Sequence, residues 1–167
     1  MKLVWQFLPA GLDRSKFDCG SDPLNEYFSR YAGQNHRNRL AICSVALTED
    51  QLNVVAYYTL SASEVASTSF PQGVLKGLPR YPVPVIRIGQ LAVDRKFQGE
   101  GAGKLVLAHA LRTVLHTPAY GAVAVIVDSL SERSTKFYQC HGFMPISEDK
   151  PNTLVIALKT IERAFAE

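Results

Sequence analysis

Residues 94–107 read DRKFQGEGAGKLVL. Gly99, Gly101 and Gly103 fall within five positions, after the apolar run VIRIGQLAV (Val85–Val93) and before the periodic run KLVLAHALRTVLH (Lys104–His116). Glycine inside a helix costs about 1 kcal/mol relative to alanine, so this run marks a strand-to-helix turn that needs bare backbone. Three phosphate-binding patterns compete for it. A Walker A loop fails twice: Gln98 stands at its first glycine position and Leu105 where a magnesium-ligand hydroxyl is required. The dinucleotide fingerprint Gly-x-Gly-x-x-Gly fails because Lys104 holds its last position, far from any first βαβ unit. The pattern Gln/Arg-x-x-Gly-x-Gly/Ala is met by Gln98, Gly99, Glu100, Gly101, Ala102 and Gly103. Amides at a helix N-terminus are unpaired and partly positive, and glycines let a pyrophosphate approach them. A glycine-rich turn that binds nothing is the alternative.

The rest of the chain can be read outward from this turn. Val85–Val93 is a strand, and Gly89 within it predicts a bulge or a close approach. Leu107, Leu111, Val114 and Leu115 form the apolar face of the helix that follows. GAVAVIVDSL (Gly121–Leu130) reads as a strand covered on both faces. SERSTKFYQC (Ser131–Cys140) reads as a helix opened by Ser131 and closed by Gly142, and NTLVIALKT as a final strand. Upstream, Leu3–Leu8 is a strand and Pro23–Ala32 a helix with Asp22 as N-cap. LAICSVAL and VVAYYTLSA form a hairpin around TEDQLN, and Phe70–Pro84, with four prolines and two glycines, is a loop or a broken short helix. The order β-α-β-β-β-α-β-α-β describes a mixed α/β fold, read as one domain over residues 1–167.

Composition narrows the classes. Of 167 residues, 47% are hydrophobic and 20% charged, as in a globular protein with a full core. No apolar run approaches the roughly 20 residues that span a bilayer. The N-terminus MKLVWQFLPAGLDRSK contains Gln6 and lacks a small-residue cleavage site, so a first strand and a cytoplasmic location, with no membrane partner, are expected. Cys19, Cys43 and Cys140 are scattered and odd in number, which indicates neither a disulfide framework nor a metal site. The net charge of +3 permits an anionic partner without demanding one.

A second motif, KFYQCHGF, follows the next strand at residues 136–143. Together with LAVDRKFQGEGAG it resembles the GNAT superfamily of N-acetyltransferases over Val85–Leu158. The resemblance implies a mixed central sheet with splayed strands flanked by helices, and acetyl-CoA as cofactor. It places the pantetheine arm on the backbone of Leu91, Ala92 and Val93. The pyrophosphate falls on the amides of Gln98, Gly99, Glu100, Gly101, Ala102, Gly103 and Lys104. Tyr138 matches the tyrosine that protonates the departing CoA thiolate, a role suited to a nearby O–H; packing and CoA binding alone are the other reading. Ser131 stands where many relatives carry an asparagine that touches CoA, a departure that weakens its assignment.

FDCGSDPLNEYFSRYAGQNH and LPRYPVPVIRIGQLAVD resemble, more loosely, the GNAT toxins of bacterial toxin–antitoxin pairs. That resemblance implies acetylation of the α-amino group of aminoacyl-tRNA, which blocks translation. It also implies a ribbon-helix-helix antitoxin that carries the complex to operator DNA, and it is compatible with a homodimer. An α-amine has a pKa of about 8, so roughly a tenth is neutral near pH 7 and a strong base is less needed than for lysine. Glu64, Asp94 and Glu132 are the candidate bases, each with surface charge or capping as the alternative, and a water chain is a substitute. Arg80, in LPRYPVP, is the first candidate for gripping tRNA, with Arg37, Arg39 and Lys96 beside it. Two rivals stay open: a GNAT enzyme for a free small amine or protein N-terminus, and a CoA-binding regulatory module without turnover.

Overall fold

The sheet is built from β1 (Val4–Phe7), β2 (Ile42–Leu47), β3 (Val54–Val65), β4 (Val83–Val93), β5 (Ala124–Asp128), β6 (Met144–Ser147) and β7 (Lys150–Ala157). Their spatial order is β1-β2-β3-β4-β5-β7-β6. The computed structural model describes residues 1–117 and 119–166. Two units interleave along the chain: Met1–Ser61 with Gly89–Ala110, and Ala62–Ile88 with Leu111–Glu167.

In the first unit β1 pairs antiparallel with β2, and β2 with β3, so that Val45 lies opposite Tyr57. The expected first helix is three pieces: α1 (Asp22–Glu26), a π-helical turn over Tyr27–Tyr31, and α2 (Ala32–Arg37). It runs past Ala32, where the expectation stopped. The cap is Ser21 rather than Asp22; Asp22 is the first helical residue, where its charge faces the positive end of the helix. The helix buries Phe28 against Tyr57, the rings stacked at 4.2 Å, with Phe17 edge-on to both. Such pairs add about 0.5–1.5 kcal/mol beyond area burial. The Tyr57 hydroxyl donates to the Leu24 carbonyl at 2.7 Å and locks the helix over the strand.

In the second unit the parallel ladder of β4 with β5 covers Val85–Ile88 against Ala124–Val127 and ends there, while β4 runs on to Val93. β5 pairs antiparallel with β7, and β7 with β6. The core holds Val85, Ala124, Ile126, Ile146 and Val155, with Phe70 and Leu75 packed on it from the proline-rich loop. Two expectations are corrected here. MPIS forms the unforeseen strand β6 beside β7. The last strand ends at Ala157, and Leu158–Thr160 open the helix α5 (Leu158–Ala166), whose Ile161 is buried. The remaining helices are α3 (Ala102–Leu115) and α4 (Glu132–Cys140). Among the described residues no helix is long and apolar enough to cross a membrane.

Candidate functional site

The glycine turn lies in the first unit, between β4 and α3. Gly99 and Gly101 have φ of +84° and +82°, a left-handed backbone that disfavours any side chain. An ideal Cβ at either position meets nothing within 4 Å, so the backbone there is open. The first helical hydrogen bond across the junction runs from the Leu105 amide to the Gly101 carbonyl, at 3.3 Å. Among the described residues none accepts a hydrogen bond from the amides of Gly99 through Lys104. These unpaired donors stand at the positive end of a helix of 14 residues, a cradle whose chemistry fits a pyrophosphate. Glu100 and Lys104 are exposed, and the Ala102 side chain is buried, which leaves only its backbone to a ligand. The Gln98 amide is already spent on Arg95, at 3.3 Å.

The Gln98 side chain faces the protein instead. Its Nε2 donates to the carbonyls of Cys19, at 2.9 Å, and Val93, at 2.8 Å. Asp94 is buried; its Oδ1 accepts from the Lys96 amide and its Oδ2 from the Asp18 amide. That capping work gives Asp94 a structural task. Asp18 in turn accepts from the Arg95 amide through its carbonyl, and from Gly20 and Asn25 through Oδ1. Asn25 Oδ1 takes the Cys19 amide. The Asn25 hydrogen bond, the Gly20 amide and the Arg95 guanidinium hold the Asp18 carboxyl below the usual range. The segment DCGSDPLN is therefore a brace for residues 94–98, a role that the sequence did not disclose. Its signal was a cluster of Asp, Asn and Gly ahead of a helix, which reads as ordinary turn chemistry.

Leu91, Ala92 and Val93 form the end of β4. The Ala92 side chain packs into the core with Phe28 and Tyr57, and the Val93 carbonyl is taken by Gln98. Gly89 is a close approach: a Cβ there sits 2.9 Å from Thr59 Oγ1, the hydroxyl that accepts the Gln90 amide.

Tyr138 lies in the second unit, on the inner face of α4. The residue is 5% exposed, its ring edge-on to Phe137 and Phe143. Burial pushes its phenol up from the ordinary tyrosine range. The hydroxyl has no hydrogen-bond partner among the described residues, where no enclosed polar side-chain atom is left unpartnered, so its tip reaches the surface. The result is a phenol held neutral near pH 7. Gly142, at φ +95°, closes the helix as expected. Ser131 caps α4 through a reciprocal pair with Ser134, each bond 3.1 Å, so its hydroxyl already has a structural task. Glu132 pairs with Lys136 on the surface.

Arg37 and Arg39 come together around a cavity of about 480 Å³ with Phe7, His36 and Ile42. His36 Nδ1 accepts the Cys43 amide, a packing role. His109 stacks on Trp5 at 3.9 Å and shares a hydrogen bond with Tyr58. Lys96 is exposed on the turn in the same unit, whereas Arg80 stands on an exposed loop of the second unit.

Residues 12–143 match the Acetyltransferase (GNAT) family. The chain is 34% identical to the tRNA-acetylating toxin of Mycobacterium tuberculosis (strain ATCC 25618 / H37Rv), over 88% of this chain and 87% of the toxin. The structure of AtaT complexed with acetyl-methionyl-tRNAfMet superposes with a TM-score of 0.88 at 30% identity, covering 98% of this chain and 99% of that one. A tyrosine-to-phenylalanine mutant of AtaT, bound to acetyl-CoA and the C-terminus of the antitoxin AtaR, gives 0.82 at 28% identity, with 99% of each chain covered. The chain belongs to the GNAT family of acetyltransferases.

Proposed function

We propose that this protein moves an acetyl group from acetyl-CoA to the α-amino group of an aminoacyl-tRNA, and so acts as a toxin that blocks translation. The observation that carries the reading is the open crown of amides at Gly99–Lys104, on a chain akin to tRNA-acetylating toxins along nearly its whole length. The family match spans both units, which supports reading residues 1–167 as one acetyltransferase domain.

The amides of Gly99 to Lys104 would hold the pyrophosphate, and the backbone of Leu91–Val93 the pantetheine arm. Gln98 serves by bracing the turn, and Ser131 by fixing the start of α4. Bound acetyl-CoA supplies a thioester carbon open to attack by a neutral amine. The ammonium first gives one proton to solvent. The C–N bond then forms and the C–S bond breaks. Tyr138 passes its proton to the leaving sulfur, and the second proton of the nitrogen restores the phenol. Arg80, Arg37, Arg39 and Lys96 are the cations proposed for tRNA phosphates. A ribbon-helix-helix antitoxin, operator DNA through its complex, a homodimer and a cytoplasmic location complete the reading.

Incubation with labelled acetyl-CoA and total aminoacyl-tRNA tests it. Label on the α-nitrogen of an esterified amino acid is the expected result. Label on free amines or peptides alone would move the assignment to a small-amine enzyme.

A further inference from the structure

β1 stands at one edge of the sheet and pairs only with β2. The Leu8 amide donates to the Cys43 carbonyl at 2.9 Å. In an antiparallel ladder alternate residues turn the same way, so Val4 and Gln6 also bond toward β2. The N–H and C=O groups of Trp5 and Phe7 therefore point off the sheet, and among the described residues none bonds to them. An open edge of this kind is a template for another strand.

The end of β1 runs into the basic cavity of the first unit, which Phe7 and Ile42 line together with Arg37 and Arg39. Phe7 is 63% exposed, and Leu40, next to Arg39, is exposed as well. His36 Nδ1 takes the Cys43 amide at 3.0 Å and so ties the end of α2 to the end of the β1–β2 ladder. The arginines are gathered at the expense of helix stability. Arg39 has φ of +58° at the position after a helix where glycine is usual, inside a closed cap: the Arg39 amide donates to the His36 carbonyl and the Leu40 amide to the Asn35 carbonyl. Gly33, within α2, weakens the helix, yet a Cβ there would lie 3.0 Å from Arg14 Nη2 and 3.4 Å from Arg37 Nη1. Bare backbone thus lets two guanidiniums share one place, with Arg14 held by the Phe28 carbonyl at 2.6 Å. Among the described residues none of Arg14, Arg37 and Arg39 has an acidic ion-pair partner.

We infer that the β1 edge and this cavity form one docking surface for an extended acidic segment of another protein. The segment's backbone adds to the sheet at Trp5 and Phe7, an apolar side chain lies on Phe7, and carboxylates meet Arg37 and Arg39. The open strand edge decides for a peptide over a nucleic acid, whose backbone cannot extend a β-ladder. The charge decides against a second copy, since β1 itself, VWQF, brings no acid. The inference does not rest on the acetyl-transfer reaction, though a bound segment would compete for guanidiniums proposed for tRNA phosphates.

The test selects random dodecapeptides displayed on phage against the whole protein, then measures the enriched peptides by fluorescence anisotropy. Alternating apolar and acidic residues are the expected enrichment. Phe7→Pro removes an outward N–H without touching the ladder and should weaken binding about tenfold or more, whereas Phe7→Leu should stay within about threefold of wild type. Arg39→Gly separates function from structure: it relieves the left-handed backbone, so Tm should rise while peptide affinity falls about tenfold, the scale of a charge-assisted hydrogen bond. Enrichment without acids, or affinity unmoved by Phe7→Pro and Arg39→Gly, would overturn the inference. Hexauridylate binding that falls in Arg39→Gly but not in Phe7→Pro, and that no enriched peptide displaces, would give the cavity to RNA and overturn it too. Concentration-dependent dimerisation abolished by Phe7→Pro would assign the edge to a second copy instead.

Discussion

A phenol that protonates a departing thiolate must hold its own proton at neutral pH, and at Tyr138 burial raises the pKa in that direction. Tyr138→Phe should therefore lower kcat about 10²–10³-fold, the scale of lost acid catalysis, with KM for acetyl-CoA little changed. Single-turnover rates check this, and near-normal rates would assign Tyr138 to packing. Titration of Tyr138 should not limit kcat below pH 10, since its pKa lies above the ordinary tyrosine value. Gly101 separates backbone from charge. Gly101→Ala adds a methyl where nothing lies within 4 Å and costs only the left-handed strain, about 1–2 kcal/mol. Gly101→Asp places an anion among the amides as well. Calorimetry should show acetyl-CoA affinity falling far more for aspartate than for alanine. The left-handed backbone at Gly101 was legible in the sequence because a glycine-rich turn between a strand and a helix has few other uses, whereas the burial of Tyr138 was not read there.

At the scale of elements, the turn that holds the amides does not stand alone. Asp18 and Gln98 join it to the loop before α1 across 76 and 79 positions of chain. Local pattern carries no information about pairs so far apart, which is why the sequence showed the helix start and the family resemblance of FDCGSDPLN but not its brace to the turn. Asn25→Ala should loosen this brace by removing the acceptor of the Cys19 amide and the donor to Asp18. The expected effect is a KM for acetyl-CoA raised several-fold with kcat at saturation retained; an unchanged KM with lowered thermal stability would make the brace structural only. Other elements were hidden for different reasons. β6 has four residues, one of them proline, too few to alternate visibly. The start of α5 continues the apolar run of β7 without a breaker, so the strand seemed to extend to Thr160. The close approach at Gly89 was legible, because a lone glycine in a strand has few other uses.

For the whole molecule, buried acids set the alkaline limit. Cys43 is fully buried, and burial pushes its thiol from 9.0 up to about 12. Its contribution is complete below about pH 9 and is lost as pH rises toward 12, because only the unfolded chain then releases the proton. Stability should fall at up to about 1.4 kcal/mol per pH unit from this group, with Tyr57 and Tyr138 adding to the fall above pH 10. Denaturation midpoints from pH 7.5 to 10 check this, and Cys43→Ala should flatten the fall between pH 9 and 10.

Substrate choice also belongs to the molecule as a whole, since the proposed tRNA grip draws on cations of both units. The most direct measurement is kcat/KM for aminoacyl-tRNA, the matching free amino acid and a matching peptide, at low and moderate salt. Strong preference for aminoacyl-tRNA, lost steeply as salt rises and reduced by Arg80→Glu with acetyl-CoA binding intact, is the predicted result. Equal turnover of all three amines without a salt effect would contradict it.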